Sequence, residues 1–209
     1  MLVNVEVYSD DLPVDVSLRL KRVSMIACDI ETSGLDWRSD AIGMCQFYSP
    51  EHGAFLVKIG HRSRVPTHIK GLMEDPGLTK VFHHAPFDLR FLRHKWGIRA
   101  QSVACTKVAS KIAYPDRRNE DHRLQNLLRE HLGISIDKAE QASNWLASTL
   151  TRDQLSYACN DVRYLIDLHA FLEEKIARMG NRHLYNACRT FLPAHVELQV
   201  IDREDVFAY

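Results

Sequence analysis

The 209-residue chain predicts an α/β fold, a mixed central sheet flanked by helices. Three observations carry this expectation. An apolar segment from Ser24 to Glu31 ends in two acids, as a buried central strand would. Two further strand-like segments follow it directly. From Pro86 onward the apolar spacing is mainly helical, and one helical segment near residue 70 separates the early strands from the later chain.

Taken in order, Ala41 to Tyr48 and Ala54 to Ile59 read as partners in a meander, joined by the turn signal Ser49-Pro50-Glu51-His52-Gly53. Thr67 to Met73 has helical spacing, and Pro76-Gly77 stops it. Lys80 to His83 reads as a short strand. Pro86 stands where a helix start tolerates proline, and Phe87, Phe91 and Leu92 define one face of that helix. Helices are expected from Val103 to Tyr114, from Arg123 to Leu132 with Gly133 as C-cap, and from Thr151 to Ile176 with Thr151-x-x-Gln154 as a capping box. Pro115 to His122 is polar and charged and reads as a mobile loop. The tail from Asn186 to Tyr209 has few helix signals and is expected to wrap back on the domain or onto a neighbour. The whole chain is expected to form one domain, with a core over about 24–175 and a C-terminal extension over about 180–209.

Lysine plus arginine equals aspartate plus glutamate, 27 each, so the chain lacks the basic excess of proteins with long nucleic-acid footprints. That balance favours a substrate with few phosphates, or one gripped mainly through metal ions. The five cysteines are scattered, without a CxxC pair, which argues against a disulfide framework or zinc ribbon. The first residues lack a signal-peptide pattern, and no apolar run reaches the length of a membrane span, so a cytoplasmic location without membrane contact is expected.

Four acids and a tyrosine stand out against this background. On a strand, residues two apart share a face, so Asp29 and Glu31 project together while Ile30 points away. Alternating acids also occur on solvent-facing strands, but the apolar flank Met25-Ile26-Ala27-Cys28 marks this strand as buried. Asp88 falls in the first turn of its helix, where it could simply complement the dipole. Tyr157 and Asp161 are four apart and share a helix face, where a tyrosine is commonly core. Together the four acids need a cation, and hard divalent ions such as Mg²⁺ or Mn²⁺ prefer such oxygen ligands.

Three segments carry a resemblance: Asp29-Ile30-Glu31-Thr32-Ser33-Gly34-Leu35, His83-His84-Ala85-Pro86-Phe87-Asp88, and Tyr157 through Asp161. They resemble the motifs of the DEDD superfamily of 3′–5′ exonucleases in its DEDDy form, which implies a ribonuclease H-like fold. The stretch Asp137-Lys138-Ala139-Glu140-Gln141-Ala142-Ser143-Asn144-Trp145-Leu146 is similar to the ribonuclease D branch. Cys105-Thr106-Lys107-Val108-Ala109-Ser110-Lys111, the chain length and the ending from Phe191 are similar to the nanoRNase C group of bacterial diribonucleotide-degrading enzymes.

The resemblance implies that Asp29, Glu31, Asp88 and Asp161 hold two Mg²⁺ or Mn²⁺ ions about 3.5–4 Å apart and that Tyr157 orients the attacking water. The implied reaction is hydrolysis of short RNA, dinucleotides above all, releasing nucleoside 5′-monophosphates. A broader ribonuclease D-like action on longer RNA or single-stranded DNA is the alternative, and an inactive binding module the remote one. Leu35 would wedge between two bases beside Thr32, or else cap the core as a turn residue. His83 and His84 would touch phosphate or base, or else serve as satisfied core histidines. Lys107, Ser110, Lys111, His122 and Arg123 are candidates for gripping the 5′ end, against the alternative of a solvated charged face. The resemblance also implies a homo-oligomer, a ring-shaped octamer.

Overall fold

Val5, Glu6, Val7 and Tyr8 alternate in exposure along an edge strand, β1 (Val5–Ser9), which leads into α1 (Val14–Leu20). The computed structural model describes residues 4–60, 64–203 and 206–207. After α1 come β2 (Met25–Thr32), β3 (Ile42–Ser49), β4 (Gly53–Lys58), α2 (Thr67–Met73), β5 (Thr79–Phe82), α3 (Ala85–Trp96), β6 (Val103–Cys105), α4 (Thr106–Ala113), α5 (Leu124–Leu132), α6 (Arg152–Arg163), α7 (Leu165–Arg178) and α8 (Arg182–Val200). Short 3₁₀ turns cover Asn119–His122 and Ala139–Ala142.

The strands form one mixed sheet in the order β1-β4-β3-β2-β5-β6. β2, β3 and β4 are the antiparallel meander read from the sequence, and β5 returns parallel to β2 through the α2 crossover. The period of two along β2 sorts its side chains. Ile26, Cys28 and Ile30 enter the layer formed with residues of α1, α2, α3 and α8. Ala27 enters the opposite layer with residues of α4, α5, α6 and α7, and small partners there, Val81 and Ala104, let those helices approach. Asp29 and Glu31 continue the Ala27 side toward the end of the strand.

Four readings change in the structure. Val103-Ala104-Cys105 is a strand before α4 rather than the first turn of a helix, because it pairs with Lys80 to Phe82 and fills the sheet edge. The helix expected from Thr151 to Ile176 breaks at Tyr164, whose φ of −109° and ψ of 3° lie outside the helical range. The two halves meet different surfaces: α6 packs on β2, β3 and β4, whereas α7 packs on α4 and α5. The expected loop at Pro115 to His122 ends in a 3₁₀ turn whose His122 is buried. The tail is helical over Arg182–Val200 despite Pro193, because Tyr185, Leu192 and Val196 recur at helical spacing and are buried. It does wrap back, packing on α3 and β6, with Glu197 paired to Arg93. The end of the tail at 204–205 and 208–209 lies outside the described residues. β1 and α1 lie outside the sequence expectations, although the alternation Val5-Glu6-Val7 is itself a strand signal.

One close approach fixes the layer over the acids. A Cβ on Gly43 of β3 would lie 2.5 Å from the Trp145 carbonyl oxygen and 2.9 Å from the Trp145 Cβ, so only glycine admits that segment. Gly43→Ala is expected to lower unfolding free energy by about 1–3 kcal/mol, as overpacking does. Urea denaturation reads this; an unshifted midpoint would contradict the contact.

Candidate functional site

Asp29 and Glu31 reach the C-terminal end of β2, and the pairing with β3 shifts register between Glu31 and Thr32. Such an irregularity ends the regular ladder and turns the chain away just past the acids. Asp161 arrives from α6, one turn after Tyr157. Single carboxylate oxygens of Asp29, Glu31 and Asp161 lie within 4.8 Å of one another. Asp88 comes from the first turn of α3 and stands on the Asp29 side. Its carboxylate accepts the Ile30 N–H at 3.2 Å, and the nearby Asp29 charge adds to the rise in its proton affinity. The structure thus brings all four sequence-predicted acids and Tyr157 to one place.

Burial dominates the electrostatics of this cluster. It pushes Asp29 up to about 8 and Glu31 up to about 10, with the neighbouring acids adding to the shift. Asp88 and Asp161 are raised for the same first reason. Burial and the adjacent carboxylates also raise Tyr157, so its phenol keeps its proton and can donate. Acids gathered in this way favour protons or a cation over bare charge.

One member of the site was not singled out from the sequence. The Lys138 ammonium donates to both Asp161 oxygens at 2.6 and 2.7 Å and lies 3.2 Å from the Tyr157 hydroxyl. The segment that carries it is anchored on both sides of the 3₁₀ turn. Asp137 accepts the Ala139 N–H, and Gln154 Nε2 donates to Ser143 at 2.8 Å. Gln154 also closes the capping box of α6 with Thr151, so one side chain ties the Lys138 segment to the helix bearing Tyr157 and Asp161. Trp145 is buried against Tyr157, with ring centroids 5.8 Å apart.

The remaining candidates surround the acids unequally. Leu35 is 83 % exposed at the tip of a loop braced by Asp40, which accepts from Ser33 Oγ and the Asp36 N–H. Thr32, half-buried, donates to the Gly34 carbonyl at 2.6 Å. His83 Nδ1 lies 2.8 Å from Thr106 Oγ1, and the Thr106 hydroxyl donates to the Phe82 carbonyl. Burial lowers the His83 imidazole to about 3, so the ring is neutral. His84 is exposed, adopts a left-handed backbone (φ 72°) and is lowered to about 4 by desolvation and by the charges of Lys107, Arg90 and Lys111. Lys107 is in turn lowered by burial, Lys111 and Arg123, so these cations form one basic cluster. Ser110 and His122 differ from the rest: both are buried and hydrogen-bonded to each other at 3.0 Å. They clasp the 115–122 segment to α4, and the Lys111 charge reaches His122.

The donor set fits a hard divalent cation: clustered carboxylate oxygens, with a lysine ammonium already drawn to one of them. Comparisons with known proteins agree. Residues 4–177 match the family model described as 3′–5′ exonuclease. Ribonuclease D of Desulfotalea psychrophila is 36 % identical over 170 residues, which cover 75 % of this chain and 43 % of that protein. The chain spans less than half the length of the first curated relatives it matches. The structure of Brucella melitensis NrnC bound to pGG is 35 % identical and superposes with a TM-score of 0.89 over 100 % of both chains. The structure of that protein with bound Mg²⁺ is 34 % identical, with a TM-score of 0.88 over 99 % of both chains.

The raised carboxyl values give a testable pH dependence. Asp29 and Glu31 bind more protons folded than unfolded, so the metal-free fold loses stability as pH rises from the ordinary values of 3.8 and 4.5 through about 8 and about 10. The melting temperature of the chelator-treated protein is expected to fall between pH 5 and pH 8 (about the lower and upper parts of that window), and Mg²⁺ is expected to restore it at pH 8. Scanning calorimetry with and without Mg²⁺ checks both signs.

Proposed function

The chain belongs to the 3′–5′ exonuclease family, and from that membership we propose that it is a metal-dependent 3′–5′ exoribonuclease acting on very short RNA, diribonucleotides above all. The observation that carries the reading is the convergence of Asp29, Glu31, Asp88, Asp161 and Tyr157 from three separate elements. Support for a short substrate comes from the match over the full length of NrnC, whose structure was solved with pGG. The neutral net charge and the exposed Leu35 agree with it.

The four carboxylates would bind divalent metal, two ions of Mg²⁺ or Mn²⁺; bound there, the metal activates water and stabilises the leaving 3′-oxygen. The chain's own groups do the rest. Tyr157, kept protonated by its surroundings, donates to and orients the attacking water or a phosphate oxygen. Leu35 packs between the two bases at the mouth of the site, with Thr32 fixing the turn behind it. His83, a neutral imidazole, touches a phosphate or a base, and His84 lines the rim. Lys107, Lys111 and Arg123 hold the 5′ phosphate as point charges and a fork. Ser110 and His122 act through α4, positioning Lys107 and Lys111. The product is a nucleoside 5′-monophosphate.

Residues from about 24 to 175 would form the catalytic core of a single domain, with the extension from about 180 bracing α3 and supplying surface for assembly with further copies, a ring-shaped octamer. The action is placed in the cytoplasm as part of this reading; among the described residues no helix is long and apolar enough to cross a membrane. Similarity to ribonuclease D supports a second reading, trimming of longer RNA or single-stranded DNA 3′ ends.

Asp161→Asn and Asp88→Ala are expected to lower kcat by more than the roughly 10–100-fold lost when only the support of a metal ligand is removed. Product release from a labelled dinucleotide in Mg²⁺ measures this, and retained activity would overturn the assignment of the acids. A series of 5′-labelled RNAs from two to seven nucleotides separates the two readings. Dinucleotide is expected to be hydrolysed about tenfold or more faster than the longer chains, one missing favourable contact of ~1.4 kcal/mol being enough; equal rates favour the second reading.

A further inference from the structure

The Lys138 ammonium does more than sit near the acids. It covers both carboxylate oxygens of Asp161, at 2.6 and 2.7 Å, touches the Tyr157 hydroxyl at 3.2 Å and stands 4.9 Å from the centre of the Tyr157 ring. Its charge also acts on Asp29, Glu31 and His83. An ammonium has three N–H donors and no lone pair, so it can never join a metal's ligand shell. A divalent ion shared by Asp29, Glu31 and Asp161 would need Asp161 oxygens that the amine now holds, and at ion-pair distance the two cations would repel. Amine and metal therefore compete for one carboxylate.

The surroundings permit an exchange. The backbone beside Lys138 is anchored through Asp137, Ser143 and the wedge of Trp145 over Gly43. The lysine stem is four carbons of rotatable chain, and the side chain is 23 % exposed, so the amine can leave toward solvent without moving its anchors. Without metal, the same amine is the cation in hydrogen-bond contact with the cluster among the described residues. It offsets part of the repulsion that burial would otherwise impose on the acids.

We infer that Lys138 is an intramolecular placeholder for the metal: it holds the acid cluster together in the metal-free protein, is expelled from Asp161 by the divalent ion, and thereby sets the metal affinity. This rests on the proposed assignment of Asp29, Glu31 and Asp161 as metal ligands. The consequence runs against the usual effect of altering an active site, because removing Lys138 strengthens metal binding while it weakens the metal-free fold.

Calorimetric titration of Mg²⁺ and Mn²⁺ into chelator-stripped protein tests this on wild type, Lys138→Met, Lys138→Arg and Asp161→Asn. Lys138→Met is expected to bind metal about tenfold or more tighter, the scale of one removed charge at close range, and to melt at a lower temperature without metal. Lys138→Arg, which keeps the charge, is expected to stay near wild type. If wild type binds metal and Lys138→Met binds no tighter, the placeholder is overturned while the ligand assignment stands. If wild type and Asp161→Asn bind alike, the ligand assignment itself fails. Should Lys138→Met not fold without metal, wild type supplies a second readout: the rate of Lys138 amine modification by reductive methylation, followed by mass spectrometry. A rise in that rate on adding Mg²⁺ supports expulsion, and an unchanged or slower rate overturns it.

Discussion

Repulsion among four carboxylates in a place that excludes water is the constraint around which this molecule is built. Asp29 and Glu31 cannot avoid each other, because the pleat of β2 puts them on one face. Asp161 is set against them by the face of α6 that also buries Tyr157 and Ala158. Three devices contain the repulsion. Asp88 accepts a backbone N–H, Lys138 neutralises Asp161, and the raised proton affinity of Asp29 and Glu31 lets them stay uncharged. Each device is one that a metal ion can replace, so stability and chemistry draw on the same interaction.

The two layers of the sheet divide the labour. One layer, with α1, α2, α3 and α8, is a continuous apolar core that fixes β2 and the root of α3. The other carries α4 to α7 and contains the open end of the site. The break at Tyr164 matters here, because an unbroken helix could not lay Tyr157 and Asp161 against β2 and β3 while placing Leu168 and Leu172 against α4 and α5. Ser110 and His122 show the same economy: two buried polar groups satisfy each other and tie the 115–122 segment to the helix that carries Lys107 and Lys111.

Legibility in the sequence followed the range of the interaction. The pairs Asp29/Glu31 and Tyr157/Asp161 are local, with periods of two and of one helical turn, and they were readable directly. The capping box at Thr151 and the C-cap at Gly133 are equally local, and both stand in the structure. Asp88 became readable only through the surrounding motif. Lys138 was not, because its partner is 23 residues away and nothing on its own segment marks it as buried. β6 was read as helix because three apolar residues carry no period, and only pairing with β5 decides their state. The α8 helix was missed for a different reason: Pro193 and scattered polar residues mask an apolar stripe whose partner surface, on α3, is built far earlier in the chain.

That last separation has a bearing on how the molecule comes into being. Arg93 and Glu197 are 104 residues apart, so the helix carrying Asp88 is clamped by a segment synthesised long after it. Contacts of such span are slow to form, since the intervening chain must first be ordered. As the chain leaves the ribosome, the acids of β2 and α3 emerge well before α8 can close over α3. Completion of the site is thus a late event in folding, and a chain arrested between residues 162 and 181 would hold every acid of the cluster without the brace that keeps α3 in place.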